Sequence, residues 1–344
     1  MKLFLGNLLY YPLKLWVRIA CSLYFSEFKV NGLDKIPSKG PIIFAANHQN
    51  ALLDALILSV ISKRSPHFLT RASVFKKGII NNVLRSLKMI PIYRFRDGIG
   101  NVRKNNDSFE EAYSVLEKNN VLGIFPEGNH DLKYRIRPLQ KGIARIVFQT
   151  EERNQYQKNI KIVPIGIHYE DHFNSRSRVL IIIGDPISVQ DHLTEYKENE
   201  RNAYDSLLNK LSKALKKLVL HISPEEKYED LKEQLDNIRV VKKDIQAQLD
   251  NDISNLGQIN LNTQKSTAIH KDEKLILITQ LKNVLYKLSG LLFFLPRTII
   301  KKQILSKVKD PHFYATAAFT SKIFIYPIYA SLLVGIALAL VKIL

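Results

Sequence analysis

The sequence predicts an α/β domain built on a central, mostly parallel sheet flanked by helices. Three short apolar runs, residues 41–46, 121–125 and 162–167, are typical of buried strands. The first two are each followed by a polar turn and then by a stretch with helical character. Because functional groups in such domains lie at strand ends, we expect the site in the turns that follow these strands.

Before this domain, residues 1–30 predict a membrane-associated helix. Residues 3–25 are rich in Leu and Tyr, contain Trp16, and are interrupted by Lys14 and Arg18. The two charges are four positions apart, which places them on one helical face. The small-residue cleavage pattern of a secretory signal is missing. We therefore expect a helix that lies in the membrane interface or inserts obliquely.

The α/β domain is predicted over residues 31–222, and its first turn holds a histidine and an aspartate. His48 follows the strand at 41–46, and Asp54 precedes an apolar helix candidate. A histidine with a carboxylate on the next element is suited to general-base catalysis, because the carboxylate fixes the imidazole tautomer. The alternative is a loop histidine that caps a helix, beside an aspartate that pairs with a surface base.

Together with three later segments, this turn resembles the ordered blocks of the glycerolipid acyltransferase family, which acylates glycerol-3-phosphate and 1-acylglycerol-3-phosphate. The blocks are Asn47 to Asp54, Met89 to Arg94, Phe125 to Gly128, and Val163 to Gly166. The segment 181–187 resembles the closing segment of the family. The resemblance covers the predicted α/β domain and implies an acyltransferase fold for it.

The resemblance also implies roles for single residues. His48 would be the base that takes the hydroxyl proton of the acceptor, and Asp54 would orient it. Glu127 and Gly128 resemble the acceptor-binding turn of the family, with Glu127 accepting a hydroxyl group and Gly128 allowing close backbone approach.

Three cations are candidates to bind the phosphate of the acceptor. Arg94 matches the family position, Arg71 stands where the family often carries a lysine, and Lys141 is a third candidate. For each of them the alternative is a solvated surface charge.

Three positions depart from the family pattern. Five residues separate His48 from Asp54, where four are usual, and this spacing resembles some glycerol-3-phosphate acyltransferases. Tyr93 stands before the arginine of the second block in place of the common acid. Asn129 and His130 replace the usual Thr-Arg after Glu-Gly, so the anion contact of that arginine must come from elsewhere or be absent.

Composition and charge narrow the partners. The single cysteine, Cys21, excludes an intramolecular disulfide and fits a reducing compartment. No Cys, His and carboxylate cluster has metal-ligand spacing, and no Gly-rich nucleotide loop is present, so we predict no metal and no cofactor. The acyl donor would be a substrate, acyl-CoA or acyl-carrier protein.

The net charge of +19 is unevenly distributed, because residues 223–282 carry nine basic against eleven acidic side chains. The basic remainder of the chain fits an anionic membrane surface and a phosphate-rich acyl carrier. No nucleic-acid module is recognisable and the apolar stretches indicate lipid, so we predict no nucleic-acid partner.

Residues 223–282 predict a helical and flexible insert. A helix start at Pro224 is followed by helical spacing through Leu249. The polar stretch 251–267 predicts a loop, and a second helix is expected to begin near Asp272. A spacer, a dimer helix and a cover on the active site all remain open for this insert.

Residues 283–344 predict hydrophobic helices that anchor the protein in the membrane. The uncharged stretch 323–341 lies between Lys322 and Lys342 and reaches about the 20 residues that cross a bilayer. A shorter apolar run, 288–296, precedes it, so a hairpin that crosses or re-enters the membrane is expected. The alternative is a pair of buried core helices.

Two classes of function remain. The first is an acyltransferase on the cytoplasmic face of a membrane, acting in phospholipid biosynthesis on 1-acylglycerol-3-phosphate, with glycerol-3-phosphate second and other lysophospholipids third. The second is a catalytically silent relative that binds lipid or a partner through its basic face. The retained histidine, aspartate and Glu-Gly positions favour the enzyme.

Overall fold

The computed structural model describes residues 2–75, 78–93, 102–260 and 293–343. Within them, one eight-stranded sheet has the order β1-β7-β6-β2-β5-β3-β4, with β8 paired to β6. The strands are β1 (Glu27–Asn31), β2 (Ile42–Ala46), β3 (Pro66–Arg71), β4 (Met89–Ile92), β5 (Val121–Ile124), β6 (Lys161–Tyr169), β7 (Arg178–Ile183) and β8 (Ile187–Ser188). Strand β6 pairs antiparallel with β7 and β8, and the other pairs are parallel. The predicted α/β fold with a mostly parallel sheet is confirmed.

Helices cover both faces of this sheet. The α-helices are α1 (Lys2–Tyr24), α2 (Leu52–Ile61), α3 (Ile79–Ser86), α4 (Val102–Glu117), α5 (Gly142–Arg153), α6 (Leu193–Glu198), α7 (Glu200–Lys216), α8 (Tyr228–Ile238), α9 (Ile245–Asn260), α10 (Phe294–Ile299) and α11 (Tyr314–Ile343). Helices α1, α2 and α11 share one buried apolar cluster with the sheet. Helices α4, α5 and α7 share the cluster on the other face.

The central strand β2 lies between β5 and β6, and all five of its residues are buried. A strand covered on both faces has no polar side, which explains its continuous apolar sequence. Because β2, β3 and β5 are parallel, their carboxyl ends meet at one edge of the sheet. His48, Arg71 and Glu127 lie at or just beyond those ends.

Helix α1 forms over Lys2–Tyr24, but the prediction that its two charges share one face is wrong. Arg18 is exposed, whereas Lys14 donates hydrogen bonds to the carbonyl oxygens of Ser62 (2.7 Å) and Arg64 (3.3 Å) at the end of α2. Burial, with the nearby charges of Lys88 and Arg18, lowers the pKa of Lys14 to about 8. The two charges therefore do not form one polar face.

The outer face of α1 carries an apolar stripe instead. Tyr11, Leu15, Ile19 and Leu23 follow one another at intervals of four residues, and each is exposed, with Leu23 at 75%. Residues at this spacing lie on one side of a helix. The stripe faces away from the domain, because the opposite side of α1 is buried on α2.

The insert after residue 222 packs on the domain through α8 and α9. Both helices bury leucines in a third apolar cluster that includes Leu180 of β7. Asp244 forms an ion pair with Lys29 of the edge strand β1, and Gln246 accepts a hydrogen bond of 2.9 Å from Asn31. The described part of the insert thus covers the β1 edge of the sheet.

The predicted loop at 251–267 is wrong over residues 251–260, which form the second half of α9. Leu256 is buried in the insert cluster, and the polar Asp252 is also buried and paired with Arg239, 3.0 Å away. These tertiary contacts outweigh the weak helical preference of Asn, Asp and Ser. The predicted helix start near Asp272 lies outside the described residues.

The C-terminal segment folds back as a helical hairpin over its described part. Phe293 stacks on Tyr326 of α11, with ring centroids 5.0 Å apart. The first third of α11 is packed on the domain, where Phe319 is fully buried against Tyr24 of α1. Farther along, exposed apolar side chains recur, among them Phe324, Ile328 and Leu332. Residues Pro311–Ile336 are long and apolar enough to cross a membrane.

Candidate active site

His48 and Asp54 form a hydrogen-bonded pair at the carboxyl edge of the sheet. The ring nitrogen Nδ1 of His48 lies 2.8 Å from Oδ2 of Asp54. Asp54 is fully buried in the first turn of α2, whereas the His48 side chain keeps 15% of its exposure. A buried carboxylate accepts the Nδ1 proton, so Nε2 is left as the basic nitrogen. Nε2 has no hydrogen-bond partner within the described part of the chain.

The chain surrounds the Asp54 carboxylate with donors. The backbone N–H groups of Gln49 and Asn50 both donate to Oδ2 at 2.8 Å, and the Tyr169 hydroxyl donates to Oδ1 at 2.7 Å. Burial, together with the adjacent Asp54, raises the pKa of Tyr169 well above its ordinary value, so the phenol remains a donor. These bonds hold a buried negative charge in place without a cation.

The imidazole of His48 is fixed from several sides. Phe125 stacks on it with ring centroids 4.0 Å apart, and the His130 ring meets it edge-on at 5.5 Å. The backbone N–H of His48 donates to Oε1 of Glu127 (3.0 Å). The backbone carbonyl oxygen of His48 accepts a hydrogen bond from the N–H of Asp131 (3.0 Å). The turn after β5 therefore positions His48, which lies in the loop after β2.

Glu127 holds this turn together through Arg137. Its Oε2 accepts hydrogen bonds from Nε (2.8 Å) and from the backbone N–H (3.2 Å) of Arg137, which also donates to the carbonyl oxygen of Asn129. Burial raises the pKa of the Glu127 carboxyl, although Arg137 and the N–H of His48 oppose the shift. Both oxygens of the predicted hydroxyl acceptor are thus already engaged by the protein.

Gly128 occupies the position in this turn that requires a left-handed backbone, with φ of +72°. Its N–H donates to the carbonyl oxygen of Phe125 at 3.0 Å, and a Cβ at this position would lie 3.0 Å from Gln140. A side chain here would strain the turn, which gives the Glu-Gly sequence a structural reason beside its predicted role in binding.

The three predicted phosphate-binding cations have different surroundings. Arg71 is exposed at the end of β3, on the same edge of the sheet as His48. The ammonium of Lys141 forms an exposed ion pair with Asp205 of α7, 3.2 Å away. Arg94 lies outside the described residues. Binding of phosphate by any of the three stays a prediction.

Two contacts that the sequence did not predict also support the site. The side chain of Asn47 donates to the carbonyl oxygen of Ile167 (2.9 Å) and accepts from its N–H (2.7 Å), which locks the end of β2 to β6. Thr316 of α11 is hydrogen-bonded to the backbone of Asn50 and Leu53, both at 3.2 Å. No local pattern marks these contacts, because the partners are more than 100 residues apart.

Among the described residues, His130, Asp310 and His312 form a group whose ligand atoms lie within 4.8 Å of one another and could hold a metal ion. The Asp310 carboxylate and Nδ1 of His312 are already hydrogen-bonded to each other over 2.7 Å. Burial and the neighbouring His48 and His312 lower the pKa of His130 to about 4, so its ring is neutral at pH 7. The prediction of no metal stays a prediction.

Residues 27–168 match the acyltransferase family. Glycerol-3-phosphate O-acyltransferase 1 of Saccharomyces cerevisiae is 31% identical over 118 residues, which are 33% of this chain and 15% of the yeast protein. The chloroplastic 1-acyl-sn-glycerol-3-phosphate acyltransferase BAT2 of Brassica napus is 26% identical over 45% of this chain and 40% of its own.

A solved structure, the 1-acyl-sn-glycerophosphate acyltransferase of Thermotoga maritima, superposes with a TM-score of 0.42 and 16% identity. The superposition covers 60% of this chain and 80% of that one. The chain thus spans only a small part of the yeast relative and less than half of the plant relative.

Proposed function

We propose that this protein transfers a fatty acyl group to the hydroxyl group of 1-acylglycerol-3-phosphate at a membrane surface, and the match of residues 27–168 to the acyltransferase family supports the proposal. The donor is acyl-CoA or acyl-carrier protein. The observation that carries the proposal is the His48–Asp54 pair, whose Nδ1–Oδ2 hydrogen bond of 2.8 Å leaves Nε2 free to act as the base on a side chain that is 15% exposed. A catalytically silent relative would not need a buried carboxylate that orients an imidazole.

This pair is suited to each step of acyl transfer. Nε2 of His48 takes the proton of the acceptor hydroxyl while the hydroxyl oxygen attacks the carbonyl carbon of the thioester. The new C–O bond forms, the tetrahedral intermediate collapses, and the C–S bond breaks. The imidazolium then returns its proton to the leaving thiolate. Asp54 stabilises the imidazolium between these steps, because it is a fixed negative charge on the Nδ1 side.

The phosphate of the acceptor needs cations at the same edge of the sheet. Arg71 is the described candidate, because it is exposed at the end of β3, and Arg94 is proposed on the family pattern. Arg137 lies nearby but its Nε is committed to Glu127. In this proposal it supports the turn, whereas the exposed arginines bind the ligand.

The proposed acceptor is a lipid because apolar surface lies beside the catalytic domain. The exposed stripe of α1 and the exposed half of α11 supply this surface. The basic charge of the chain complements anionic headgroups, which supports a location on the cytoplasmic leaflet. A membrane-resident lysolipid would then reach the site without crossing water.

Glycerol-3-phosphate is the second candidate acceptor. Two observations favour it: the five residues between His48 and Asp54, and the name of the yeast relative. Glycerol-3-phosphate is small and soluble, so it would not need the apolar surfaces to reach the site.

An acceptor panel tests the proposal. Purified full-length protein in detergent is given one radiolabelled acyl-CoA and, separately, 1-acylglycerol-3-phosphate, glycerol-3-phosphate and lysophosphatidylcholine, and the assay is repeated with acyl-carrier protein as donor. We expect the label in phosphatidic acid. Faster labelling of glycerol-3-phosphate would favour the second candidate. No labelling with any donor and acceptor would contradict the proposed function.

A further inference from the structure

The loop between His48 and Asp54 contains a backbone conformation that alanine rarely adopts. Ala51 has φ of +45° and ψ of −123°, and its side chain is buried. At positive φ the Cβ of an L-residue crowds the backbone, so such a conformation persists only where surrounding contacts impose it. Ala51 lies inside the loop that is one residue longer than the usual family spacing.

Contacts on both sides of Ala51 impose this conformation. Before it, the N–H groups of Gln49 and Asn50 are bound to Oδ2 of Asp54. Around it, the Thr316 hydroxyl donates to the carbonyl oxygen of Asn50 and accepts the N–H of Leu53, each at 3.2 Å. The Leu53 N–H also lies 2.9 Å from the Asn50 carbonyl oxygen, so the three groups close a small ring of hydrogen bonds.

Thr316 comes from a distant part of the chain. It lies in the first turn of α11, is 8% exposed, and stands outside the matched residues 27–168. The loop residues that it binds are 1% exposed. The Asn50 carbonyl oxygen and the Leu53 N–H bond to each other, and the Thr316 hydroxyl adds a second bond to each of these buried groups, which water cannot reach.

We propose that Thr316 is a positioning residue for acyl transfer: its hydroxyl holds the strained loop so that Asp54 stays against the imidazole of His48. The inference rests on the proposed function for its catalytic consequence. Because α11 also includes the segment long enough to cross a membrane, the proposed anchor helix would also set the geometry of the base.

The test compares three variants of the full-length protein. Thr316→Val keeps the shape and removes the hydroxyl, and Thr316→Ser keeps the hydroxyl. Thr320→Val is the matched control, because Thr320 lies one turn farther along α11 and, among the described residues, bonds only within that helix (2.7 Å to the carbonyl oxygen of Thr316). Steady-state kinetics are measured beside hydrogen–deuterium exchange of the peptide that contains residues 49–53.

Thr316→Val is expected to lower kcat roughly tenfold, since a small misplacement of the base is costly, with little change in KM. Amide exchange at residues 49–53 should rise in the same variant. Thr316→Ser and Thr320→Val should resemble the wild type in both measurements.

Unchanged exchange in Thr316→Val would overturn the inference whatever the activity, and so would raised exchange with wild-type kcat. A loss in Thr316→Ser as large as in Thr316→Val would also overturn it, because the hydroxyl would then not be the cause. A wild type inactive with every donor and acceptor would instead contradict the proposed function, and the exchange data would decide separately whether Thr316 holds the loop.

Discussion

The hydroxyl of Tyr169 donates a hydrogen bond to Oδ1 of Asp54 over 2.7 Å, on the oxygen that His48 does not use. Tyr169 ends β6, so the strand beside β2 supplies the second support for the catalytic carboxylate. With His48 and the backbone N–H groups of Gln49 and Asn50 on Oδ2, the carboxylate cannot rotate without breaking bonds to two segments of the site, the loop after β2 and the end of β6.

Replacing Tyr169 with Phe should therefore weaken both stability and catalysis. The variant leaves Oδ1 of a buried carboxylate without its side-chain donor, at a cost of about 1.5–3 kcal/mol in the free energy of unfolding. Turnover should fall severalfold with little change in KM. Chemical unfolding and steady-state kinetics measure the two effects. Tyr196→Phe is the control, because that hydroxyl bonds to Glu152 on the other face of the sheet. Equal losses in both variants would contradict a specific role.

His48→Ala should lower turnover by at least about two orders of magnitude, the usual scale for a general base, in a protein that remains folded. Asp54→Asn should cost nearly as much, because the neutral amide cannot stabilise the imidazolium and its NH2 group would face a donor in place of one carboxylate oxygen. Circular dichroism of each variant controls for folding. Near-wild-type turnover of His48→Ala with every acceptor would refute the proposed mechanism.

The sequence predicted the parts of the site that lie on strong local patterns. The continuous apolar runs identified β2 and β5, and the order of blocks placed His48, Asp54 and Glu127 near one another. The edge strand β1 was not predicted, because Glu27–Asn31 is only half-buried along its whole length and lacks a continuous apolar run.

Contacts between distant segments set the rest of the site and could not be read from local sequence. Arg137 looked like one of many arginines, yet it is the cation that pairs with Glu127. Thr316 lies in an apolar helix whose sequence predicts a membrane anchor, and only the packing of α11 on α2 brings its hydroxyl to the catalytic loop. Helical spacing alone could not show that Lys14 turns inward.

Arg137→Gln should destabilise the protein, because it removes the charge that pairs with the buried Glu127 carboxylate. Breaking a buried pair by removing one partner costs about 3–5 kcal/mol. Because the Arg137 side chain keeps 18% of its exposure, we expect the lower end of that range. Urea unfolding measures the loss. Arg153→Gln is a suitable control, since its ion pairs on α4 are exposed. A loss no greater than that of the control would mean that Glu127 does not depend on Arg137.

A histidine outside the proposed chemistry should make stability depend on pH. Burial lowers the pKa of His168 from 6.5 to about 3, and neither ring nitrogen has a hydrogen-bond partner among the described residues. Below pH 6.5 the unfolded chain binds a proton at this residue and the folded chain does not, so the free energy of unfolding falls as the pH falls. At pH 5, His168 alone should lower the free energy of unfolding by about 2 kcal/mol.

His168→Phe removes the titrating imidazole and keeps a ring of similar size. Urea unfolding at pH 7 and pH 5 should show a smaller loss between the two values in the variant than in the wild type. His312→Phe serves for comparison, because the His312 side chain is 30% exposed and bonded to Asp310, whereas the His168 ring is buried without a hydrogen-bond partner among the described residues. The same pH dependence in wild type and His168→Phe would show that His168 is not the responsible group.

Removal of residues 330–344 should release the protein from integral membrane attachment without unfolding it. The truncation retains Phe319 and Ile323, which are buried on the domain, and Tyr326, which stacks on Phe293. It shortens the apolar helix below about the 20 residues that a bilayer requires. The truncated protein should pass from the carbonate-resistant to the carbonate-extractable fraction of membranes and keep its activity in detergent.

The exposed stripe of α1 should still bind the truncated protein to anionic vesicles, in a manner that high salt weakens because the basic domain contributes. The double substitution Leu15→Glu and Leu23→Glu should abolish vesicle binding of the truncated chain. In the full-length chain the same double substitution should leave membrane attachment resistant to carbonate. Flotation of vesicles, with and without carbonate, measures both properties. A truncated protein as resistant to carbonate as the full-length chain would place the anchor outside α11, and this helix would then serve the domain only through its packed first third and the hydroxyl of Thr316.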